Sequence, residues 1–149
     1  MNDPTVHYRS IKFASSDYAQ SLSLRDQVLR RPWGQSIDQD DLSSESDDFI
    51  WGAFVGSRLV GMAVLKEGQD NYARLRYMAV DPDYQGRGIG AAIAREFEAR
   101  ARQAGKAGIR LMARLHVLPF YEKLGYETEG QAFVPDHIDI PHIMMVTRF

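Results

Sequence analysis

The segment DPDYQGRGIGAAIAREF, residues 81–97, constrains the fold more than any other part of the chain. Three glycines, Gly86, Gly88 and Gly90, fall within five positions and directly precede an apolar repeat at helical spacing. Glycine lets a ligand approach the backbone closely, and the first turn of a helix exposes unpaired N–H groups at the positive end of its dipole. The segment therefore predicts an anion site, most simply for a phosphate, at the start of a helix.

The pattern of apolar residues and turn signals elsewhere predicts a mixed α+β sheet in the order β-α-β-β-β-α-β-α-β-β. In the helix after the glycines, the apolar residues recur four positions apart and form one stripe. The strand that follows this helix is predicted to be parallel to the strand that precedes it. Strands are predicted at residues 6–13, on either side of Gly56-Ser57 within 49–68, and at 71–80, 109–113, 127–133 and 143–149; helices are predicted from Asp17, capped by Ser16, to about Arg30, from the glycines to Gly105, and at 119–124.

Composition limits the classes of partner and site. At 149 residues the chain predicts a single domain spanning residues 1–149. Its 18 basic and 20 acidic residues sum to a net charge of −2, which argues against nucleic-acid and membrane partners. Because cysteine is absent, thiolate nucleophiles and thiolate metal sites are excluded. No secretory or membrane-spanning segment is apparent, so we expect a cytoplasmic protein; a homodimer stays open beside a monomer.

A phosphate loop could belong to several classes of protein. A Walker loop requires Lys and then Ser or Thr at its end, whereas Ala91 and Ala92 follow Gly90 here. This class is therefore excluded. A glycine-rich turn without a ligand is the second alternative, and the glycines alone do not remove it.

A dinucleotide-binding turn is the third alternative, because Gly86-x-Gly88-x-x-Ala91 formally matches its fingerprint. That fold needs an acid about 20 residues later to bind the ribose. No Asp or Glu occurs between residues 98 and 122. Arg114 could instead receive a 2′-phosphate, which keeps an NADP-binding reductase open.

Two further motifs carry a family resemblance. Gln85-x-x-Gly88-x-Gly90, with the preceding YMAVDP, resembles the cofactor strand and turn of the GCN5-related N-acetyltransferases (GNAT family). FYEKLGY, residues 120–126, is similar to the second hallmark of that family. The resemblance covers roughly residues 50–126. The first helix and the tail DIPHIMM resemble the ElaA-like and YjcF-like branch.

The resemblance implies a fold and an activity. The fold is the acyl-CoA N-acyltransferase fold, a central mixed, mostly antiparallel sheet flanked by helices. The activity is transfer of an acetyl group from acetyl-CoA directly to a primary amine of a small molecule or peptide, without a metal. An acyl-CoA-binding sensor or interaction module without turnover is the alternative.

The resemblance also implies roles for single residues. Tyr121 occupies the position of the proton donor to the leaving thiolate. Arg114 departs from the family, because many members have Asn there to contact pantetheine. Acetyl-CoA is expected to bind at Met78, Ala79, Val80, Gln85, Gly86, Arg87, Gly88, Ile89, Gly90 and Ala91.

The general base and the acceptor site have no motif. A metal site is not predicted, because His137 and His142 with their neighbouring Asp residues match no ligand spacing. Trp33 and Trp51 are interpreted as packing residues, and the acidic segment 38–48 as solvated surface rather than a guide for a cationic amine. The candidates for the base are His116, Glu127, Glu129, Asp139 and His142.

Overall fold

The computed structural model describes residues 5–136 and 138–149. One mixed sheet of seven strands forms its centre, with helices packed on both faces. The α+β fold class and the predicted order of elements are confirmed. The strands are β1 His7–Ser10, β2 Phe49–Val55, β3 Arg58–Lys66, β4 Tyr72–Val80, β5 Gly108–Arg114, β6 Glu127–Phe133 and β7 His142–Arg148; the helices are α1 Ser16–Arg25, α2 Ile89–Gln103 and α3 Leu118–Lys123.

The sheet has the strand order β1-β2-β3-β4-β5-β7-β6. Strands β1 to β4 form an antiparallel meander, and β5, β7 and β6 form an antiparallel unit at the other edge. The two units meet at β4 and β5, which are parallel as predicted. Strand β7 lies between β5 and β6, which the order of the elements along the chain did not reveal.

Helix α2 covers one face of the sheet. Its predicted stripe of Ile89, Ile93, Phe97 and Ala101 is buried against that face. After the helix, Gly105 has a positive φ of 75°, the left-handed conformation in which helices commonly end. No helix of residues 5–136 or 138–149 combines the length and the apolar character needed to cross a bilayer.

Helix α1 covers the opposite face and begins one residue earlier than predicted. Ser15, rather than Ser16, is the cap, because its hydroxyl accepts a hydrogen bond from the Tyr18 N–H at 3.1 Å. The helical path continues as a π-helical turn, Asp26–Arg30, and then as a 3₁₀ turn, Arg31–Trp33. The predicted end near Arg30 is therefore close to the observed end, although the last turns are not α-helical.

A buried ion network attaches α1 to the acidic segment 38–48. The Arg25 guanidinium donates to Glu45 Oε1 at 2.7 Å, and the Tyr18 hydroxyl donates to the same oxygen at 2.9 Å. Arg30 binds both Asp40 oxygens, at 2.9 and 2.8 Å. The interpretation of this segment as solvated surface was therefore wrong for Glu45 and Asp40, which are buried or nearly so because they pair with arginines from α1 and the turn after it.

We expect Glu45→Gln to lower the free energy of unfolding by about 3 kcal/mol, because it leaves the charge of the buried Arg25 undercompensated. Asp47→Asn is the matched control, since Asp47 lies in the same short helical turn but is exposed. It should change stability by less than about 0.5 kcal/mol. Urea denaturation followed by circular dichroism measures both variants, and equal stabilities would contradict the structural role of the network.

Candidate active site

The parallel strands β4 and β5 separate partway along their length. They pair from Tyr72 with Gly108 to Leu75 with Leu111, and no pairing is found beyond that point. Strand β4 nevertheless continues to Val80 beside β3, and β5 continues to Arg114 beside β7. The backbone edges that face each other across the gap therefore lack ladder partners, although buried N–H and C=O groups normally require them.

A β-bulge lies in β4 at the point where the gap opens. Met62 pairs with Ala79 and Val64 with Arg76, so that two residues of β4 stand opposite the single Ala63 of β3. One of the two is Tyr77, whose φ of 59° is left-handed and costs a non-glycine residue about 1–3 kcal/mol. A bulge bends its strand and increases its twist, which directs the end of β4 away from β5.

The bulge also changes which side chains of β4 face which side of the sheet. Before it, Leu75 packs on the α2 side; after it, Met78 and Val80 pack there, and Ala79 packs on the α1 side. Because a strand alternates its side chains, one extra residue reverses the alternation. The end of β4 therefore presents the side chains of Met78 and Val80 to the α2 side of the gap.

A cavity of about 940 Å³ occupies the gap. On the α2 side its wall consists of apolar residues of β4, β5, α2 and α3. On the α1 side its wall includes the turns that follow α1, with Leu29 and Trp33, and polar residues of the two strands. The cavity thus runs between the two faces of the sheet, with different chemistry on each side.

The glycine-rich turn closes one end of the cavity. Gly86 and Gly88 have φ values of 78° and 79°, which favour glycine. Gly88 is the N-cap of α2, and no side chain caps the helix there. The Gln85 amide donates to the Val80 carbonyl at 3.1 Å and so fixes the turn to the end of β4. The turn therefore directs the free N–H groups of the first turn of α2 toward the end of the gap.

Two glycines without positive φ allow α2 to lie close to its neighbours, the sheet and α3. A Cβ on Gly61 of β3 would lie 2.7 Å from Ile89 Cγ2, and a Cβ on Gly90 would lie 3.0 Å from Phe120 Cζ. Real Cβ atoms almost never approach a neighbour as closely as the first distance. Gly61 thus allows the start of α2 to sit on the sheet, and Gly90 makes room for Phe120 in the wall of the cavity.

Tyr121 lies in the cavity wall on the first turns of α3. Its ring is buried between Phe120, at 4.9 Å between ring centroids, and Tyr126, at 5.6 Å. Within residues 5–136 and 138–149, its hydroxyl has no hydrogen-bond partner. Burial raises the pKa of the Tyr121 phenol above its ordinary value of 10.0, because the phenolate would be desolvated. The group therefore stays neutral and is available as a donor.

With this geometry established, the comparisons with known proteins decide the family. Residues 16–126 match the model of the acetyltransferase (GNAT) family. The chain belongs to the GNAT family. The match includes the glycine-rich turn and Tyr121, and the predicted family is confirmed. The chain is accordingly an acetyl-CoA-dependent acetyltransferase in class.

Similar proteins agree with this assignment. The acetyltransferase SG1711 of Sodalis glossinidius is 31% identical over 128 residues, which cover 82% of this chain and 89% of that protein. ElaA of Escherichia coli has the same fold, with a TM-score of 0.79 at 17% identity over 95% of this chain and 99% of its own. A Bacillus subtilis acetyltransferase solved in complex with CoA has a TM-score of 0.73 at 14% identity, over 97% and 99% of the chains. Identities this low show the fold alone, so the branch within the GNAT family stays a prediction.

Most of the residues that the GNAT resemblance assigned to the cofactor meet at the cavity. Two do not line it. The Ala79 side chain is buried on the α1 side, because the bulge reverses the alternation of β4. Arg87 is exposed and stacks over the Tyr84 ring at 4.9 Å. The other eight residues assigned to the cofactor line the cavity together with Tyr121: Met78, Val80, Gln85, Gly86, Gly88, Ile89, Gly90 and Ala91.

Arg114, the departure from the usual GNAT asparagine, belongs to the α1 side of the wall. Its Nη2 donates to the Leu29 carbonyl at 2.7 Å, and its guanidinium lies 4.2 Å from the centre of the Trp33 ring. Burial, and then the nearby Arg30, lower the Arg114 pKa to about 10. Arg114 thus holds the turn after α1 against β5, and it remains charged at neutral pH.

The structure separates the candidates for the general base. His116 and His142 line the cavity, whereas Glu127, Glu129 and Asp139 do not. His116 stacks with Trp33 at 6.1 Å. The His142 Nδ1 is 2.6 Å from the Ile140 carbonyl. His137, the other histidine considered for a metal site, lies outside the described residues. Among the described residues, no group of three potential metal ligands of the His, Cys, Asp or Glu type occurs.

Sequence reasoning missed several residues of the site. Trp33 was interpreted as a packing residue, yet it lines the cavity and is 39% exposed. Phe120, which also lines the cavity, was given no functional role beyond its place in the motif. Trp51 does pack in the α2-side core. Tyr77 carried no signal at all, because a bulge is not visible in the alternation of apolar residues. The basic residues that alternate along β4, Arg74 and Arg76, were visible in the sequence but were not connected with the site.

We expect Gly61→Ala to lower the free energy of unfolding by about 1–3 kcal/mol, because its Cβ overlaps Ile89 Cγ2. Ile89→Leu removes this methyl group while keeping the volume of the side chain. Gly61→Ala should therefore lower the free energy of unfolding much less in the Ile89→Leu background than in the natural chain. A double-mutant cycle by chemical denaturation measures the difference. Additive effects would contradict the close contact between β3 and the start of α2.

Proposed function

We propose that this protein transfers the acetyl group of acetyl-CoA directly to a primary amine of a small molecule or peptide, and that residues 1–149 act as one acetyltransferase domain. The observation that carries the proposal is the gap between β4 and β5. It has a glycine turn at one end and, in its wall, a phenol without a hydrogen-bond partner among the described residues. A fold-level likeness to a CoA complex supports the choice of donor.

The pyrophosphate of acetyl-CoA would bind at the turn of residues 85–91. The N–H groups of Ile89, Gly90 and Ala91 belong to the first turn of α2 and have no helical partner, and the helix dipole adds positive potential. The space around Gly86 and Gly88 is open, since a Cβ on either would meet nothing within 4 Å. Phosphate oxygens can therefore reach the backbone.

The pantetheine arm would lie along the free edge of β4. Its amides can pair with backbone groups of Met78 to Val80, as an additional strand would. This accounts for Ala79 as a backbone contact although its side chain is buried away from the cavity. The thioester would then lie near Tyr121 and the bulge at Tyr77, where both sides of the sheet open into the cavity.

The reaction then requires few groups of the protein. The lone pair of a neutral amine attacks the thioester carbonyl carbon, the C–S bond breaks, and the sulfur leaves with the electron pair. The proton of the resulting ammonium is lost to a base or to water. The described residues that line the cavity include no Ser, Thr or Cys, the side chains that most often form acyl-enzymes, which supports direct transfer.

Tyr121 would stabilise the leaving thiolate. Burial raises its pKa above 10.0, so the phenol is protonated at neutral pH. The thiolate would form in the same desolvated cavity, which raises the pKa of the thiol as well. The phenol can therefore donate a hydrogen bond to the sulfur and then its proton. We assign Tyr121 the role of donor to the leaving thiolate.

The proposal is tested by ligand binding and by turnover. Acetyl-CoA at a hundred times its Kd should stabilise the protein by about 2.7 kcal/mol, and NADPH should not. An amine panel read by release of free thiol tests transfer. If acetyl-CoA binds but no amine is acetylated, the protein is a sensor without turnover; if only NADPH binds, the proposal is wrong.

We expect Tyr121→Phe to lower kcat by about 10²- to 10⁴-fold while the Kd of acetyl-CoA changes little, because only the donor is removed. Tyr126→Phe is the matched control. Tyr126 packs against Tyr121 and does not line the cavity, and its buried hydroxyl has no hydrogen-bond partner in the part of the chain that the structure describes. Steady-state rates and calorimetry measure both variants. Full activity of Tyr121→Phe would show that another group stabilises the thiolate.

We expect Gly88→Ala to weaken acetyl-CoA binding by about tenfold or more, because its Cβ would stand where the phosphate approaches the backbone. Gly105→Ala controls for backbone strain. It has a similar φ of 75° and an equally open environment, but it follows the other end of α2, roughly 24 Å away. Both variants should lose about 1 kcal/mol of stability, and only Gly88→Ala should lose affinity. Equal affinities, measured by calorimetry on folded protein, would place the phosphate elsewhere.

A further inference from the structure

Cationic side chains line the cavity, and no acidic side chain among the described residues does so. Although the chain has a net charge of −2, the described residues that line the cavity include six cationic side chains and no carboxylate. The charge of the cavity is therefore opposite to that of the whole protein. The six are Arg30, Lys66, Arg74, Arg76, Arg110 and Arg114.

Some of these charges are neutralised from outside the cavity. Arg30 binds Asp40 through two hydrogen bonds, Lys66 Nζ lies 3.9 Å from Asp48 Oδ1, and Arg110 Nε lies 3.4 Å from Glu129 Oε1. The other three, Arg74, Arg76 and Arg114, have no ion pair with any residue in 5–136 or 138–149. Arg76 donates a hydrogen bond to the Tyr77 hydroxyl, and Arg114 donates one to the Leu29 carbonyl. The positive charge of Arg76 also acts on Asp48, where it opposes the burial that raises the pKa of that carboxyl.

Three of the cations stand side by side across the sheet. Lys66 of β3 pairs with Arg74 of β4, and Arg74 pairs with Arg110 of β5. Neighbouring strands are about 4.8 Å apart, and like charges directly opposite one another destabilise a sheet. Arg76 and Arg114 continue this positive surface along the two separating strands. Such a surface would be stabilised by an anion bound in the cavity.

The position of these cations separates them from the phosphates of the cofactor. Leu75 and Leu111 face the α2 side, so Arg74, Arg76 and Arg110 face the α1 side by alternation. Arg74 is also six residues from Val80, roughly 20 Å along the strand, and the phosphate turn begins beyond Val80. The cations therefore face the side from which an acceptor can reach the thioester without displacing the cofactor.

We infer that the acceptor is an amine that also carries a carboxylate, such as an amino acid, and that Arg74 and Arg76 bind this carboxylate. The inference rests on the proposed acetyl transfer and names its acceptor class. Arginine suits the task because its planar group binds a carboxylate through two hydrogen bonds.

The same cations favour the reactive form of the acceptor. A positive environment disfavours an ammonium ion and so lowers the pKa of the bound amine. For Arg114, burial is the larger cause of its lowered pKa, and the positive charge of Arg30 lowers it further. The cations that do not bind the carboxylate, Arg114 among them, therefore help to supply a neutral amine, which reduces the need for a dedicated base.

The test compares acceptors that differ in one group. Each amino acid in a panel is paired with its carboxamide and with the diamine of equal length, and kcat/KM is measured at saturating acetyl-CoA. We expect the carboxylate to be preferred over the carboxamide by about tenfold or more, and the diamine to be the poorest acceptor. Short acidic peptides form a separate arm, which distinguishes a free amino acid from a peptide as the source of the carboxylate.

Variants of the protein test whether Arg74 and Arg76 cause the preference for a carboxylate over a carboxamide. Arg74→Gln and, independently, Arg76→Gln should reduce the ratio of carboxylate to carboxamide kcat/KM by about tenfold, with the Kd of acetyl-CoA unchanged. Both side chains are exposed, so the variants should fold. Arg102→Gln is the control, because Arg102 is an exposed arginine on α2 that does not line the cavity and stacks over Phe149.

The outcomes separate the two proposals. Failure to bind acetyl-CoA, or to acetylate any amine, overturns the proposed function. Acetylation of carboxamides or diamines as fast as of carboxylates leaves the acetyltransferase intact and overturns the inference. An unchanged ratio in both arginine variants, with the preference present in the natural chain, overturns the assignment of the carboxylate to Arg74 and Arg76.

Discussion

The candidate site of this protein depends on the separation of two parallel strands. From Leu75 and Leu111 onward, β4 follows β3 and β5 follows β7, so each strand keeps one partner and loses the other. The bulge at Tyr77 turns β4 outward at the cost of a left-handed residue. The result is a pair of free backbone edges in the middle of the domain, which a ligand with amide groups can satisfy at no further cost in backbone order.

The charges of the cavity depend on where the acids of the protein are placed. The acidic segment between α1 and β2 contributes Asp40 and Glu45 to Arg25 and Arg30, and these pairs are buried behind the turn after α1. Asp40 and Glu45 thus pair with arginines that hold the wall of the cavity, and they do not neutralise the arginines of the strands. Arg74 and Arg76 have no ion pair within the described residues, and they face the α1 side of the sheet. One buried network accordingly contributes both to the stability of the wall and to the electrostatics of the pocket.

Most of the fold could be predicted because local sequence patterns specify most of its helices, strands and turns. The stripe on α2, the hairpin at Gly56 and the end of α2 at Gly105 depend on residues close in sequence, and each is observed. The errors arose where distant residues compete. Ser15 and Ser16 are equivalent as caps in the sequence, and Ala79 lies on the face opposite to Leu75 only because of the bulge. The acidic segment looked solvated because its arginine partners come from another element.

By itself the sequence determined the order of the elements, the glycine turn at the start of α2 and the family, because these depend on short motifs and on periodicity. The motif had already selected Tyr121 as the functional tyrosine, but only the tertiary structure decided that the bulge at Tyr77 places Met78 and Val80, and not Ala79, on the α2 side of the cavity. The tertiary structure alone also aligned Lys66, Arg74 and Arg110, which are far apart in the chain, into one cationic row. The physical reason is that strand register and side-chain direction are set by the packing of the whole sheet, which no local pattern specifies.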